Sequence, residues 1–139
     1  MAMRSPWWTA ILLLALIMPM CSGVPTYQDF LRKHVDFPKT SFPNDATYCQ
    51  VMLVRSGINI NGTCKPKNTY VHAQPTYLRT LCINQPNWAL RTTQQPFNVT
   101  VCSLIRKQPN CMYSGNQFNH WVEVGCWGQL PVHLEKTFP

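Results

Sequence analysis

The sequence predicts a single α+β domain with an antiparallel sheet, cross-linked by disulfides. Helical patterning is confined to the first half of the chain, and short β-type runs fill the second half, an order typical of α+β domains. Seven cysteines occur in 139 residues, and only Cys21 lies in the N-terminal apolar segment. The other six form an even set, which predicts three disulfides in a secreted chain and leaves their pairing open. They are Cys49, Cys64, Cys82, Cys102, Cys111 and Cys126.

Residues 1–23 have the pattern of a secretory signal peptide. Arg4 precedes an apolar run over residues 7–20, and small residues follow it, so cleavage is predicted after Gly23. The run is shorter than the roughly 20 apolar residues of a membrane span, which disfavours the alternative of an uncleaved anchor. We therefore expect one domain over residues 24–139, secreted to the extracellular space, with secretory granules as a candidate store and no stable membrane insertion.

The composition narrows the classes of function. The chain has 12 Lys and Arg against 5 Asp and Glu, and loss of Arg4 with the leader leaves a formal charge of +6 (12 minus 1 minus 5). This balance favours anionic partners, namely nucleic acid, heparin-like glycans or acidic cell surfaces. So few carboxylates disfavour a two-carboxylate glycosidase. The cysteine and histidine spacing fits no zinc site, and we expect neither a metal nor a cofactor.

Three helices are predicted. Thr26 is expected to cap the first, in which Phe30, Leu31, His34 and Val35 recur at helical spacing. The second is predicted over Asp45 to Arg55 and the third over Pro75 to Cys82.

The predicted strands are short runs rich in valine and aromatic residues. Ser114-Gly115-Asn116 is interpreted as a hairpin turn between two of them. The runs are Thr69–Ala73, Phe97–Ile105, Cys111–Tyr113, Asn119–Gly125 and Val132–Thr137.

Two sequons and one histidine give expectations about the surface. Asn61-Gly62-Thr63 and Asn98-Val99-Thr100 are candidate glycosylation sites, with chance occurrence as the alternative. His120 lies in an irregular polar context beside Trp121 and is expected to be a surface residue.

Three motifs in order carry a resemblance to a known family. They are QDFLRKH at residues 28–34, CKPKNTYVH at 64–72 and LPVHLE at 130–135. Together with the cysteine intervals they resemble the pancreatic-type ribonuclease A superfamily, and most of all its angiogenin-like branch, which includes avian leukocyte ribonucleases. The resemblance implies a V-shaped antiparallel sheet with three helices. It also implies the disulfides Cys49–Cys102, Cys64–Cys111 and Cys82–Cys126.

The resemblance implies a metal-independent endoribonuclease that cleaves single-stranded RNA 3′ of pyrimidines. His34 would be the base that takes the 2′-hydroxyl proton, and His133 the acid that protonates the leaving 5′-oxygen. Imidazole suits both roles because its ordinary pKa of about 6.5 lies near working pH. Lys65 would stabilise the charge that grows on the phosphoryl oxygens. The two histidines should then face each other across about 5–8 Å, with Lys65 in the same cleft.

The resemblance also implies substrate-binding residues. Thr69 would read the pyrimidine edge, Arg32 would form a phosphate subsite, and Asn68 would belong to the same binding site. His72 matches a structural histidine. Three further substrate-binding candidates depart from the family pattern: Lys33 replaces a glutamine, Leu134 a phenylalanine, and Glu135 the aspartate that bonds the acid.

Trp127 replaces a glutamate of the second-base subsite, so that subsite could stack a base without accepting its hydrogen bonds. With the other departures this predicts modest turnover, and Trp127 or Lys136 filling the pocket would indicate an inactive paralogue.

The alternative is a cationic host-defence or angiogenin-like signalling protein that acts mainly by binding. Its basis is the +6 charge, together with the candidate exposed aromatics Trp88, Trp121 and Trp127. The resemblance implies that angiogenin-like signalling depends on a basic cluster after the second helix. Residues 52–57 contain only Arg55, so no nuclear-targeting patch is expected there. Expected partners are RNA, ribonuclease inhibitor, heparin-like glycans and acidic cell surfaces, and the protein is expected to be a monomer.

Overall fold

The computed structural model describes residues 23–139. The predicted signal peptide therefore lies outside the described residues, apart from Gly23. No helix in residues 23–139 is long and apolar enough to cross a membrane. The helices are α1 (Tyr27–His34), α2 (Asp45–Arg55) and α3 (Pro75–Thr80), and the strands are β1 (Lys67–Val71), β2 (Leu90–Thr92), β3 (Phe97–Arg106), β4 (Met112–Trp127) and β5 (Leu130–Phe138).

The predicted helices are confirmed, and side chains cap the first two. Thr26 Oγ1 accepts the backbone N–H of Asp29 at 3.1 Å, as expected of an N-cap. Asn44 Oδ1 accepts the N–H of Thr47 at 2.8 Å and starts α2 at its predicted residue. The third helix ends at Thr80, two residues earlier than predicted, and the chain continues in turns.

Strand β4 is the long central strand of an antiparallel sheet and pairs with three other strands. Its first part, from Met112 to His120, pairs with β3, and β1 pairs with the far side of β3. Its second part, from Trp121 to Trp127, pairs with β5, while β2 pairs with Glu123 to Gly125. The sheet therefore has two arms that share β4, which confirms the V-shaped α+β fold.

Two strand predictions were wrong. The segments predicted as Cys111–Tyr113 and Asn119–Gly125 are parts of one continuous strand that begins at Met112, and the predicted turn at Ser114-Gly115-Asn116 is paired with β3. The glycine serves close packing: a Cβ on Gly115 would lie 2.6 Å from the backbone oxygen of Asp45, at the start of α2. The chain reverses instead between β3 and β4, in residues 107–111.

Strand β2 was missed because its three residues are all exposed, so that it has no alternating apolar pattern.

Two apolar clusters and three disulfides hold the fold together. One cluster joins α1 and α3 to the sheet and includes Phe30, Leu78 and Val124. The other packs Tyr48 and Leu53 of α2 against the sheet. The disulfides are those that the resemblance implied: Cys49–Cys102, Cys64–Cys111 and Cys82–Cys126.

Candidate active site

A cleft of about 640 Å³ opens between the two arms of the sheet. Residues from α1, from the segment before β1 and from four strands meet in it. Six of the predicted site residues line it: His34, Lys65, Asn68, Thr69, Leu134 and Glu135. The sequence signal from three distant motifs therefore converges on one concave surface.

His34 is the last residue of α1, and its ring is oriented by β1. Nδ1 lies 3.0 Å from the carbonyl oxygen of Thr69. A carbonyl can only accept, so Nδ1 carries the proton and donates it, and Nε2 of the neutral ring keeps a free lone pair. Burial, together with the nearby charges of Lys65, His133 and Lys33, lowers the pKa of His34 to about 4, and the hydrogen bond to Thr69 opposes this shift. The ring is therefore neutral at pH 7.

The ammonium of Lys65 is positioned by an amide. Nζ donates to Asn68 Oδ1 at 2.9 Å, and Asn68 Nδ2 donates to the carbonyl oxygen of Lys33 at 2.9 Å. Asn68 is buried, so these bonds link the segment before β1 to the end of α1. Burial and the charge of Lys33 lower the pKa of Lys65 from its ordinary value.

The backbone of Lys65 is held by two residues that the sequence analysis missed. Its N–H donates to Asn59 Oδ1 at 2.9 Å, and its carbonyl accepts the hydroxyl of Tyr113 at 2.6 Å. Asn59 Nδ2 also donates to the Tyr113 oxygen at 2.8 Å. With the adjacent Cys64–Cys111 bridge, these contacts fix Lys65 from both sides. No local motif marks Asn59 or Tyr113, because both act through the tertiary structure.

His133 lies on β5 beside the main cleft. Its Nε2 donates to Glu135 Oε2 at 2.9 Å, so that the longer carboxylate still reaches the ring and Nδ1 stays free. The His133 side chain is 54% exposed. It lines a smaller cavity of about 190 Å³ that it shares with His34 and Lys33. His34 therefore lies between the two cavities, with Lys65 on one side and His133 on the other.

Arg32 is placed apart from these groups. Its guanidinium donates to the carbonyl oxygen of Ser56 and to Asp29 Oδ1 at 2.7 Å, and it lines neither cavity. Arg32 thus joins α1 to the end of α2.

His72 has the structural surroundings that were expected. Nδ1 donates to the carbonyl oxygen of Asp36 at 2.7 Å, and Nε2 lies 2.8 Å from Thr100 Oγ1. Burial lowers the pKa of His72 from its ordinary value.

The prediction for His120 was wrong. Its ring is half-buried on the wall of the main cleft, where Nδ1 lies 3.1 Å from Thr137 Oγ1. The ring of Phe118 stacks on it, and this pair was also missed. The spacing of two residues would have placed both rings on one face, had residues 118–120 been assigned to a strand.

The three tryptophans in residues 23–139 do not line the main cleft. Trp88 is 62% exposed and contacts Trp127 with ring centroids 4.9 Å apart. Trp121 and Trp127 are half-buried, so the expectation of three exposed tryptophans holds for Trp88 alone. Trp127 is absent from the cleft lining, whereas Lys136 forms part of it.

Both sequon asparagines, Asn61 and Asn98, are exposed. In residues 23–139 no group of three or more His, Cys, Asp or Glu side chains could hold a metal ion.

Comparisons with known proteins identify the family of this chain. Residues 25–135 match the pancreatic ribonuclease family. The chain is 72% identical to a protein named angiogenin from Gallus gallus, over all of both chains, and 66% identical to a ribonuclease homolog of the same species, again over all of both. The crystal structure of green turtle egg white ribonuclease superposes with a TM-score of 0.72 at 36% identity, covering 81% of this chain and 98% of the other. The chain therefore belongs to the pancreatic ribonuclease family, in its angiogenin-like branch.

Proposed function

We propose that this protein is a secreted, metal-independent endoribonuclease that cleaves single-stranded RNA 3′ of pyrimidines. Membership of the family supports a ribonuclease or angiogenin-like function. The observation that carries the finer proposal is the placement of His34, which has a free Nε2 and lies between Lys65 and His133. An acid, a base and a cation around one phosphate suffice for this reaction.

The two histidines divide the proton transfers. His34 Nε2 takes the proton of the 2′-hydroxyl, and the 2′-oxygen attacks the adjacent phosphorus. The bond from phosphorus to the 5′-oxygen breaks, and protonated His133 gives this oxygen a proton from Nδ1, since Glu135 holds Nε2. The product is a 2′,3′-cyclic phosphate. In its hydrolysis the roles reverse, so that His133 activates water and His34 returns its proton.

Lys65 acts on the phosphoryl oxygens. Asn68 holds its ammonium in the cleft, so no reorganisation is needed when negative charge develops there. Lys33 lines the cavity between the histidines and adds a second cation. Arg32 is engaged by Asp29, so its contribution to phosphate binding would be long-range only.

The pyrimidine would lie in the main cleft. Thr69 supplies a hydroxyl that can donate or accept, which allows both uracil and cytosine. Leu134 gives an apolar contact for the base face, and Asn68 and Glu135 complete this part of the lining.

The test is cleavage of the dinucleotide UpA by purified, disulfide-intact protein. His34→Ala, His133→Ala and Lys65→Ala are each expected to lower kcat/KM by at least about 100-fold, because each removes a group that acts in the transition state. Lys107→Ala is the matched control for Lys65→Ala, since Lys107 is exposed and lies outside the cleft. Unchanged cleavage by either histidine variant would overturn the proposal.

The second candidate is a cationic host-defence or angiogenin-like factor that acts by binding. The positive charge and the exposed Trp88 favour it, and so does the likeness to a protein named angiogenin. Its partners would be ribonuclease inhibitor, heparin-like glycans or acidic cell surfaces. The protein would act as an extracellular monomer, secreted directly or released from secretory granules. Full vascular or bactericidal activity of His34→Ala protein would support binding, and its complete loss would favour catalysis.

A further inference from the structure

Two stacked aromatic rings stand on the wall of the main cleft without a role in the proposed reaction. The ring centroids of Phe118 and His120 lie 4.7 Å apart, and the ring planes differ by 17°. Both residues belong to β4 at a spacing of two, so their side chains share one face of the sheet. Phe118 is 42% exposed although its ring is large and apolar. An open ring face in a cleft that is lined by lysines is suited to a nucleobase.

The position of the rings along β4 gives their direction relative to the cleaved bond. His133 pairs with Gly125, near the middle of the second half of β4. The stacked rings lie before this point on the strand, and Trp127 lies beyond it. Thr69, the proposed pyrimidine reader, lines the same cleft as Phe118 and His120. The cleaved phosphate lies 3′ of that nucleotide and is assigned to the histidines, and His133 does not line the main cleft. The part of the main cleft that Phe118 and His120 line is therefore left for the nucleotide on the 5′ side.

The stack is held in place and has a cation nearby. His120 Nδ1 lies 3.1 Å from Thr137 Oγ1, and Thr137 lines the cleft as well, so the imidazole orientation is tied to β5. Lys67 also lines the cleft, and its side chain is exposed. A backbone phosphate that enters the cleft from the 5′ side would therefore meet a positive charge.

We propose that Phe118 and His120 form a stacking subsite for the nucleobase immediately 5′ of the cleaved pyrimidine nucleotide. This inference rests on the proposed function, which defines the cleaved bond. Stacking is tolerant of base identity, so the subsite would favour longer RNA without selecting a sequence. Phe118 provides the exposed outer face, and His120 supports it from behind.

Three substrates test the subsite: UpA, ApUpA, and ApUpA with an abasic spacer in place of the first adenosine. The wild-type protein should cleave after uridine in ApUpA with a kcat/KM about tenfold above that for the abasic trimer, which carries the same phosphates, as one base stack would give. Phe118→Ala should remove this advantage and leave UpA cleavage unchanged, and Phe118→Trp should retain it. Ile105→Ala, at another exposed apolar residue on the neighbouring β3, is the matched control and should behave as wild type.

Equal kcat/KM for UpA and ApUpA in the wild type would overturn the subsite, and so would an equal loss on all three substrates in Phe118→Ala. If the wild type cleaved none of the three substrates, the proposed function would fail. The subsite would then be tested by measuring RNA binding instead of cleavage. Fluorescence anisotropy with the non-cleavable deoxy forms of UpA and ApUpA then compares the affinities. Tighter binding of the trimer that Phe118→Ala abolishes supports the stack, and equal affinities contradict it.

Discussion

At the scale of single residues, the protonation of His34 depends on the cations around it. Lys65 is one of the groups that hold the pKa of His34 near 4, so Lys65→Gln should raise it. The measurement is an NMR titration of the His34 Cε1 proton, with Lys107→Gln as a control of equal charge change. An unchanged midpoint in Lys65→Gln would show that the charge of Lys65 does not contribute to this pKa.

The same low pKa affects the pH profile of cleavage. A base that protonates near pH 4 stays active at pH values where an ordinary imidazole, with a pKa of about 6.5, is already charged. We expect the acid limb of kcat/KM against pH for UpA to lie below pH 6.5. An acid limb at or above 6.5 would contradict the assignment of His34 as the base.

Substitutions of Glu135 test how much its carboxylate contributes to the action of His133 as the acid. The bond from His133 to Glu135 is exposed on both sides, so its loss in Glu135→Gln or Glu135→Ala should cost only about two- to fivefold in kcat/KM for UpA. Glu135→Asp should keep wild-type activity if the shorter carboxylate still reaches the His133 ring. A loss of several hundredfold in Glu135→Ala would mean that the carboxylate is part of the reaction itself.

At the scale of secondary-structure elements, the packing of α2 on β4 requires a glycine. A Cβ at Gly115 would lie 2.6 Å from the backbone oxygen of Asp45, and backbone cannot rotate out of the way. Gly115→Ala should therefore lower the free energy of unfolding by about 1–3 kcal/mol, as overpacking does. The measurement is urea denaturation, with Ser114→Ala at the neighbouring position as control. Equal midpoints for the two variants would show that α2 shifts freely.

At the scale of the whole molecule, two half-buried histidines make stability depend on pH. The pKa of His34 is about 4 in the folded state and about 6.5 in the unfolded chain, and the pKa of His72 is lowered too. The unfolded chain therefore binds more protons between these values, so the stability that is present above pH 6.5 is lost as pH falls toward 4. Urea midpoints at pH 7.5 and 4.5 should differ less in His34→Ala than in the wild type. An identical difference would rule out a contribution from His34.

Removing disulfides one at a time separates their effect on the free energy of unfolding from their effect on cleavage. Cys64–Cys111 and Cys82–Cys126 span 47 and 44 residues, so removing either by double alanine substitution should cost about 4 kcal/mol in the chain-entropy model. Only the first lies beside Lys65. Under conditions where both variants are folded by circular dichroism, the Cys64/Cys111 variant should lose about tenfold or more in kcat/KM for UpA. The Cys82/Cys126 variant should lose little, and equal losses would contradict the anchoring of Lys65 by its bridge.

The sequence by itself determined what is local or carried by motifs. Caps and helical spacing placed α1 and α2, because Thr26 and the apolar positions act within one or two turns. The motifs around His34, Lys65 and His133 also led to the family and, through it, to the cysteine pairing. Glycine at 115 was misassigned to a turn because its need for small size comes from a helix about 70 residues away, not from its own backbone conformation.

Only the tertiary structure decided which residues share the site and which do not. It placed Arg32 outside the lining of both cavities, where Asp29 and Ser56 bind its guanidinium, and it brought Asn59 and Tyr113 to the backbone of Lys65. These contacts join residues distant in sequence, and no periodicity encodes them. The stack of Phe118 on His120 was also found only in the tertiary structure. The sequence shows that the two rings share a strand face, but not that this face lines a cleft.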